Sequence, residues 1–348
     1  MRGVVTTDVC LYLCGGEQSI SEIPLGIGYL LTNCQVPGVA LRYVKVREDL
    51  AGADVIGLSS NAWGLREAVS ILHEHQCMPV VIGGQGTLWP GLADYPFAHI
   101  IQGEGEDAFR YWLTHRQSGT SHFIPCPVDY LNPPDRGVCG ATVPILTSRG
   151  CPWLCAFCSS KAFWGGVRYH SPEYVMSEVE GILRDYPHTQ HLYLMDDTFA
   201  ASASRLESLA EPWFARGFDK RLSLHGFIRA TVFDRPMADL MKRMGFLSVR
   251  FGAESGSDRI LSLLNKQATV ADNERAIRIA NEASLPVSFS VMRGIPGETE
   301  EDRNATRGFI ARMEGRATVE GNYEYRPFPG SPMWLGENPL EVDMRVRG

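Results

Sequence analysis

The second part of this chain repeats one pattern about six times, a short apolar run followed by an amphipathic helical stretch. Such alternation predicts a parallel sheet, because each strand needs a helical crossover to return beside its neighbour. Six units are too few for a closed eight-stranded barrel, so we expect a partial (β/α)6 barrel with its active site at the carboxyl ends of the strands. The predicted strands are Pro144–Ser148, His191–Met195, Leu222–Ile228, Ser248–Phe251, Val287–Val291 and Val319–Tyr325. The predicted helices are Pro172–Asp185, Ser202–Arg216, Met237–Met244, Val270–Ala283 and Glu300–Glu314.

The first part also alternates strands with helices, and it predicts a separate Rossmann-like, doubly wound α/β domain over residues 1–120. Its predicted strands are Val9–Leu13, Ala40–Val46, Val55–Leu58, Val80–Ile82 and His99–Ile101, and its predicted helices are Leu25–Cys34, Leu65–His75 and Glu106–His115. A linker rich in Pro, Gly and Asp follows at 121–143. The second domain is then expected to cover 144–348, including a short C-terminal tail. Cys10 and Cys14 are four positions apart on one strand and are expected to pack on the same face.

Small and polar residues follow three strands of the first domain where each strand ends. Ligands of open α/β sheets bind outside the carboxyl ends of the strands, so these loops are predicted to form one ligand-binding edge. The candidate residues are Ser59, Ser60, Asn61, Gly83, Gly84, Thr87, Gly103, Glu104, Gly105 and Glu106. The segment 103–108 also fits the dinucleotide pattern G-x-G-x-x-A. It follows the last strand, however, and carries acidic residues where a pyrophosphate would lie, which disfavours nicotinamide binding.

Three cysteines, Cys151, Cys155 and Cys158, lie in one short segment with the spacing C-x-x-x-C-x-x-C. Cysteine thiolates are the usual ligands of iron–sulfur clusters, and a cubane cluster has four irons. Three ligands leave one iron open, as catalytic zinc sites leave one position open for chemistry. A structural zinc loop with a distant fourth ligand is the alternative, although zinc ligands typically come in two separated pairs. A disulfide framework is disfavoured because the chain has nine cysteines, an odd number.

The segment 149–158 resembles the cluster loop of the radical S-adenosylmethionine (SAM) enzymes. The resemblance implies that Cys151, Cys155 and Cys158 bind a [4Fe-4S] cluster, with the aromatic Phe157 beside it. In that family, the amino and carboxylate groups of SAM chelate the open iron. One electron from the reduced cluster then cleaves a carbon–sulfur bond of SAM and releases a 5′-deoxyadenosyl radical.

Later turns resemble the SAM-binding turns of the same family, and each follows a successive predicted strand. The pair Asp196-Asp197 lies where the family places the methionine amino group, and Glu254-Ser255 resembles the turn that contacts ribose and carboxylate. The segment 294–299 resembles the G-x-P-G-E-T turn beside adenine, and 325–332 resembles the closing strand. Gly and Pro in these turns are alternatively explained by the tight turn alone. The resulting candidates are Asp196 and Arg229 for catalysis and Asp197, Glu254, Ser255, Gly294, Ile295, Pro296 and Gly297 for SAM binding.

The first domain resembles the cobalamin-binding domain that precedes many radical SAM domains, through its segments 24–30, 53–59, 81–84 and 103–106. None of the nine histidines lies in a D-x-H-x-x-G motif, so cobalt would lack a histidine ligand from this chain. The subgroup of radical enzymes shares this departure, which suits methyl transfer through low-valent cobalt. Trp63 is either an apolar plug below the corrin ring or a core residue packed on the helix Leu65–His75.

The resemblance therefore implies a cobalamin-dependent radical SAM enzyme that methylates an unactivated carbon of a small molecule, such as a natural-product intermediate. In the implied mechanism, cobalamin takes a methyl group from one SAM, a second SAM at the cluster gives the radical that removes hydrogen, and methylcobalamin delivers the methyl group. A flavodoxin- or ferredoxin-type protein would supply the electron. Non-methylating chemistry with the same cofactors, such as cyclisation, rearrangement, epimerisation or oxidation, is the alternative; cobalamin would then have another role or be absent. A non-catalytic cobalamin sensor or electron carrier is disfavoured by the open cluster site.

Composition restricts the remaining classes of partner. The formal net charge is −7 and no block of Lys or Arg occurs, so we expect no nucleic-acid partner. No apolar run approaches the ~18 residues of a membrane span, and the N-terminus has no signal-peptide pattern, so we expect no membrane partner. Thiolates that hold iron need a reducing environment, and a cytoplasmic location is therefore predicted.

Overall fold

The computed structural model describes residues 6–16, 20–116, 119–121 and 128–341. The chain divides into two compact units. The first unit contains Met1–Cys139, Ala162–Gly165 and Phe328–Arg345, and the second contains Gly140–Lys161, Gly166–Pro327 and Val346–Gly348. Part of the predicted linker, 122–127, and the end of the predicted tail, 342–348, lie outside the described residues.

The C-terminal segment differs from the expectation that it belongs to the second domain. The structure groups Phe328–Arg345 with the first unit. Leu340 packs against the apolar core of that unit, and Arg66 Nη2 donates a hydrogen bond to the Leu340 carbonyl oxygen at 2.6 Å. Burial of an apolar side chain at the end of the segment accounts for this grouping.

The first unit contains a six-stranded, fully parallel sheet. Its elements in chain order are β1 (Thr7–Cys14), α1 (Leu25–Asn33), β2 (Val39–Val44), β3 (Val55–Ser60), α2 (Leu65–Glu74), β4 (Val80–Gly83), β5 (Ala98–Ile101), α3 (Glu106–His115) and β6 (Gly119–Ser121). The strand order β2-β1-β3-β4-β5-β6 reverses direction between β1 and β3, which is the topological switch point of a doubly wound sheet. The predicted fold class of this unit is confirmed.

Both faces of the first sheet are covered by apolar side chains. One face packs on α2 and buries Cys10, Tyr12 and Cys14 together, as the four-residue spacing of the cysteines predicts. The opposite face packs on α1 and α3 through residues such as Leu11 and Trp112. Strands buried on both faces carry continuous apolar runs, which explains why short runs marked them in the sequence.

The second unit contains another six-stranded parallel sheet, with the order β14-β13-β12-β11-β10-β7. Its elements are β7 (Thr142–Ile145), β8 (Ser148–Arg149), α4 (Ser160–Trp164), β9 (Arg168–Tyr169), α5 (Pro172–Asp185), β10 (His191–Leu194), α6 (Ala203–Ala215), β11 (Ser223–Phe227), α7 (Arg235–Met244), β12 (Phe246–Glu254), α8 (Asp258–Leu263), α9 (Val270–Glu282), β13 (Val287–Arg293), α10 (Glu300–Met313) and β14 (Thr318–Glu324). Strands β8 and β9 form a separate antiparallel pair, and α4 has residues in both units. In the described sheet, β7 and β14 are the edges, as the predicted partial barrel requires.

Local sequence signals set the helix boundaries of the second unit. Ser171 accepts a hydrogen bond from the Tyr174 amide at the start of α5, and Asp234 caps α7 in the same way. Gly245 ends α7 with a φ of 99°, a left-handed conformation that favours glycine. Helices α9 and α10 each begin with a capping box, so the strand-to-helix turns at the carboxyl edge are firmly fixed.

No helix within the described ranges is long and apolar enough to cross a lipid bilayer.

Two glycines in α1 provide a matched test of the packing in the first unit. A Cβ added to Gly26 meets no atom within 4 Å, whereas one added to Gly28 runs into the Asp135 carbonyl oxygen. Gly26→Ala should stabilise α1 by about 0.5–1 kcal/mol, because alanine loses less conformational entropy in a helix. Gly28→Ala should destabilise it by about 1–3 kcal/mol through steric overlap. Hydrogen exchange of the α1 amides measures both, and equal shifts in the two variants would contradict this packing.

Candidate active site

The three cysteines follow the first strand of the second sheet, and a buried carboxylate fixes the approach to them. Asp196, directly after β10, accepts hydrogen bonds from the Thr147 amide at 2.6 Å, the Thr147 hydroxyl at 2.5 Å and the Ser148 hydroxyl at 2.7 Å. Burial raises the pKa of the Asp196 carboxyl, and these hydrogen bonds oppose the rise. Both carboxylate oxygens are therefore engaged in joining the ends of β7 and β10.

The cysteine loop itself is attached to the segment that follows α8. The Ala156 amide donates to the Leu264 carbonyl at 2.8 Å, and Asn265 Nδ2 donates to the Leu154 carbonyl at 2.7 Å. Asn265 and Gln267 adopt left-handed φ angles of 46° and 52°, which are uncommon for residues other than glycine. Unusual backbone conformations of this kind persist where the surrounding structure holds them, and they cluster at functional sites.

Each cysteine sulfur has one polar neighbour that can donate a hydrogen bond. Cys151 Sγ lies 3.5 Å from the Thr198 hydroxyl, Cys158 Sγ accepts from the Ser160 amide at 3.4 Å, and Cys155 Sγ accepts from Arg229 Nη1 at 3.3 Å. Hydrogen bonds to thiolate sulfur are typical of cluster-binding loops. The donors all lie at the carboxyl edge of the sheet, where the active site is predicted.

The three thiols are accessible to metal, and at least Cys158 must lose a proton to bind it. Cys151, Cys155 and Cys158 are all partly exposed. Burial raises the pKa of Cys158 to about 11, and the Ser160 amide opposes this rise. Binding of iron must therefore displace a proton from Cys158. In the described ranges no three His, Cys, Asp or Glu side chains converge as a site for one metal ion requires. Each ligand of a four-iron cluster binds a different iron, so convergence on one point is not required of these cysteines.

Arg229, predicted as catalytic, is brought directly to the cysteine loop. It follows β11, is only 6% exposed and stacks on Trp153, with its guanidinium carbon 4.3 Å from the ring centroid. Trp153 lies between the first two cysteines of the loop. The structure thus joins the end of β11 to the loop through one buried cation.

Glu254 lies at the end of β12 and is held by a lysine that the sequence analysis did not identify. Lys266 Nζ contacts Glu254 Oε1 at 2.6 Å, and both side chains are largely buried, at 12% and 9% exposure. The same nitrogen lies 5.7 Å from the centroid of the Phe157 ring. Glu254 has a φ of 62° after a register irregularity in β12, a second unusual backbone conformation beside the cysteine loop. Predicted residues Glu254 and Phe157 therefore lie close to one cation.

The remaining predicted SAM contacts are divided between buried and exposed positions. Asp197 accepts a hydrogen bond from the Ser160 hydroxyl at 2.5 Å, next to the third cysteine. Ser255 is fully buried, with its hydroxyl 3.1 Å from that of Thr306. Gly294, Pro296 and Gly297 form an exposed turn around the buried Ile295. Gly294 and Gly297 have φ angles of 71° and 80°, a left-handed conformation that favours glycine at both positions.

The first unit has its own candidate site where β3, β4 and β5 end. Gly84 has a φ of 88°, and a Cβ added there would lie 2.5 Å from the Ser60 carbonyl oxygen. Gln102 Nε2 donates to the Thr87 carbonyl at 2.9 Å, which joins the next pair of loops. The predicted edge loops therefore lie side by side.

Within this edge, some candidate residues are buried and others face solvent. The buried ones are Ser60, Thr87, Gly103, Glu104 and Glu106, and the accessible ones are Ser59, Asn61, Trp63, Gly83, Gly84 and Gly105. Trp63 is 43% exposed and contacts Phe328 edge-to-face, with the centroids 6.1 Å apart. The core-packing interpretation of Trp63 is therefore wrong, because nearly half of the side chain lies at the surface of the edge.

Comparisons with known proteins agree with this geometry. The model of the Radical SAM superfamily matches residues 145–310. This range includes the cysteine loop and the strands β10 to β13 of the second sheet. An uncharacterized methyltransferase of Pyrococcus horikoshii is 32% identical over 89% of this chain and 77% of its own length. This chain belongs to the radical SAM superfamily. The predicted family and α/β fold class are confirmed, and with them the [4Fe-4S] cluster and SAM that the family uses.

Solved structures of radical SAM proteins share the architecture of both units. TsrM, a radical SAM methyltransferase from Kitasatospora setae with cobalamin and a [4Fe-4S] cluster bound, matches with a TM-score of 0.74 at 19% identity, over 95% of this chain and 74% of that one. The cobalamin-dependent radical SAM enzyme OxsB matches with a TM-score of 0.70 at 17% identity, over 91% of this chain and 54% of that one. These likenesses establish the fold.

Other relatives match only part of their length. The chain is 25% identical to the anaerobic magnesium-protoporphyrin IX monomethyl ester cyclase of Cereibacter sphaeroides and spans 30% of it. It is 24% identical to the bacteriochlorophyllide d C-12(1)-methyltransferase of Chlorobaculum tepidum and spans 66% of it. The relatives of this radical SAM protein thus act on different substrates.

The inward face of the second sheet is polar, a feature that the sequence analysis did not report. Leu192, Leu194 and Leu224 surround a small apolar gap with residues of α5 and α6, so these strand positions face the helices. Side chains alternate along a strand, and the intervening residues therefore point to the other face. They are partly exposed and include His191, Tyr193, His225, Phe227, Arg250, Ser288 and Ser290. Closed barrels instead fill this space with branched apolar residues.

The polar side chains of the inward face contact one another. Arg250 Nη1 lies 3.0 Å from Glu320 Oε1 and 3.5 Å from the Tyr193 hydroxyl. The rings of His191 and His225 are 5.8 Å apart, and their Nδ1 atoms have no hydrogen-bond partner among the described residues. Burial lowers the pKa of His225, and the charges of Arg250 and His191 lower it further. His225 is therefore neutral near pH 7.

Arg250→Met tests the electrostatics of this face. Removing the cation should raise the pKa of His225, because one source of charge repulsion is lost. Below the ordinary histidine pKa of about 6.5, the unfolded chain binds a proton at this position that native His225 resists. The free energy of unfolding therefore decreases as the pH is lowered, and it should decrease less in the variant. An NMR titration of labelled imidazoles in the cluster-free protein measures the shift. Arg184→Met, at an exposed arginine paired with Asp185, is the control. An unchanged pKa of His225 in Arg250→Met would contradict the electrostatic effect assigned to Arg250.

Proposed function

We propose that this radical SAM protein is a cobalamin-dependent methyltransferase that methylates an unactivated carbon of a small polar molecule. The observation that carries the proposal is the presence in one chain of two distinct strand-edge sites. One has three partly exposed cysteines, each with a polar neighbour, and the other has an accessible edge of glycines beside an exposed tryptophan. TsrM and OxsB, whose structures share this architecture, have cobalamin bound.

The residues of the second unit would hold the first two cofactors. Cys151, Cys155 and Cys158 bind three irons, and the fit is supported by their partial exposure and by the donors beside each sulfur. When bound, the cluster and SAM supply a radical that removes a hydrogen atom, and cobalamin supplies the methyl group. Asp196 is a positioning residue, because both its oxygens are used to hold the approach to the loop.

SAM itself would be held by the polar groups next to the cysteine loop. Asp197 is exposed beside the third cysteine, and the exposed turn at Gly294–Gly297 follows β13 on the same edge of the sheet. Lys266 orients Glu254 and leaves Glu254 Oε2 as an acceptor for an amino or hydroxyl group. Ser255, the next residue after Glu254, fixes the backbone there through the contact of its hydroxyl with that of Thr306.

Cobalamin would lie on the edge of the first unit. A large planar ring needs a low, open surface, which the glycines after β4 and the accessible residues after β3 provide. Trp63 offers an apolar ring at this surface and no metal ligand, consistent with cobalt that has no histidine from this chain. The buried Ser60 and Thr87 shape the loops, since each hydroxyl donates to a nearby backbone carbonyl.

The polar inward face of the second sheet supports a small polar substrate. Arg250 and Glu320 balance each other's charge, and His225 is neutral, so the face presents hydrogen-bonding groups with little net charge. A purely apolar substrate would leave these polar groups buried without partners. The electron would come from a flavodoxin- or ferredoxin-type protein.

Product analysis of the anaerobically reconstituted protein tests the proposed reaction. Methylation consumes SAM in two ways, so S-adenosylhomocysteine and 5′-deoxyadenosine should both form, and the former should depend on added cobalamin. Alanine at Cys151, Cys155 or Cys158 should abolish deoxyadenosine, whereas Cys77→Ala, at an exposed cysteine of the first unit, should not. Deoxyadenosine without S-adenosylhomocysteine would favour non-methylating radical chemistry and contradict the proposal.

The proposed position of cobalamin predicts a spectral change in Trp63→His. An imidazole at this exposed position can coordinate cobalt, so the absorption spectrum of bound cobalamin should shift towards that of a nitrogen-ligated form. The control is His73→Gln on α2, at a residue that is also exposed. It should leave the spectrum unchanged. A wild-type spectrum in Trp63→His, with cobalamin bound, would remove Trp63 from the site.

A further inference from the structure

Among the residues that the structure describes, no carboxylate pairs with the buried cation of Arg229. Arg229 is 6% exposed, and its polar contacts among the described residues reduce to one hydrogen bond, from Nη1 to Cys155 Sγ at 3.3 Å. Its Nε and Nη2 atoms are shielded from solvent and have no hydrogen-bond partner in the part of the chain that the structure describes. The stacking on Trp153, with the guanidinium carbon 4.3 Å from the ring centroid, stabilises the charge only in part.

A charge in this position is unfavourable unless an anion accompanies it. Desolvation of an unpaired buried ion costs more free energy than one stacking contact returns. A neutral Cys155 thiol is a weak acceptor, whereas a thiolate bound to iron is anionic and accepts strongly. The charge of Arg229 is therefore balanced only when Cys155 carries negative charge.

The three cysteines are unequal in this respect. Cys151 and Cys158 have neutral polar neighbours, the Thr198 hydroxyl and the Ser160 amide, while Cys155 has a guanidinium. Lys266 also lies beside the loop, but Glu254 already balances its charge. Positive charge and hydrogen bonds at sulfur stabilise the more negative, reduced form of a cluster and raise its reduction potential.

We propose that Arg229, shielded by Trp153, is the counter-charge of the cluster and sets its reduction potential through Cys155. This rests on the cluster of the proposed function. The step concerned is the transfer of one electron from the reduced flavodoxin- or ferredoxin-type donor to the oxidised cluster, with no bond formed or broken. Arg229 shifts this equilibrium towards the reduced cluster, so a donor of ordinary potential can load it.

An EPR-monitored redox titration of the reconstituted full-length protein, with dithionite as reductant and without SAM, tests the proposal. Arg229→Met should lower the equilibrium constant for cluster reduction at least tenfold, about 59 mV for a one-electron couple. Arg229→Lys keeps the charge and should lose less. Arg235→Met, at an exposed arginine paired with Asp239, should leave the potential unchanged. An intact cluster with wild-type potential in Arg229→Met would overturn the proposal, and so would equal shifts in the Lys and Met variants.

The cluster-free protein gives a second, independent readout. Without the cluster, Arg229 is an unpaired buried charge, so Arg229→Met should raise the midpoint of thermal unfolding, while Arg235→Met should not. A lowered midpoint would identify Arg229 as an ordinary structural residue and overturn the proposal. If Arg229→Met fails to take up iron while Arg229→Lys succeeds, the charge is required for assembly, which supports the proposal. If the wild-type protein itself binds no cluster, it is the proposed function that fails.

Discussion

Three sulfur ligands on one short loop can bind a cluster only if the polypeptide holds the loop in place. In this protein the loop is fixed just before its start and at its middle by groups from other elements. Asp196 holds the residues that precede it through three hydrogen bonds, and Leu264 and Asn265 hold its middle through the backbone. These contacts link the loop to β10 and to the segment after α8. The geometry of the site therefore depends on the parallel sheet beneath it.

The same constraint explains why functional residues gather at strand ends. All strands of each six-stranded sheet run in one direction, so their carboxyl ends lie along a single edge. In the second unit, capped helices follow several of these ends and fix the turns, as Thr299 does at the start of α10. Arg229, Glu254 and the turn after β13 reach the same edge although they are distant in sequence. In the first sheet, the loops that contain Gly83, Gly84, Gly103 and Gly105 likewise lie along the carboxyl edge.

Much of the fold could be predicted because the long elements have clear periodicity. Helix α5 was predicted with its observed bounds, and β3 and β10 differ from prediction by one or two residues. The short elements β6, β8, β9, α4 and α8 were missed, since two to six residues give no reliable period. The C-terminal segment was misassigned because its contacts with the first unit, such as those of Phe328 and Leu340, have no local sequence signal.

The candidate site was predicted where motif spacing determines function and missed where tertiary contacts do. The cysteines and Arg229 were identified as candidates, the cysteines by their spacing and Arg229 by its place at the end of a predicted strand. Lys266 was not, because only the fold brings it to Glu254 across twelve positions of sequence. Trp153 lay in the cysteine motif, but its contact with Arg229 has no sequence signal. The polar inward face was visible as alternation in β10 and β11, where His191, Tyr193 and His225 stand between leucines and glycine.

Quantitation of metals and cofactors on one anaerobically reconstituted sample tests the central claim most directly. The account predicts about four irons and four sulfides per chain, together with about one cobalamin. It also predicts that SAM alters the EPR spectrum of the reduced cluster, because one iron has no protein ligand. Tetrahedral zinc bound by the three cysteines, or an iron spectrum that is unchanged by SAM, would contradict it.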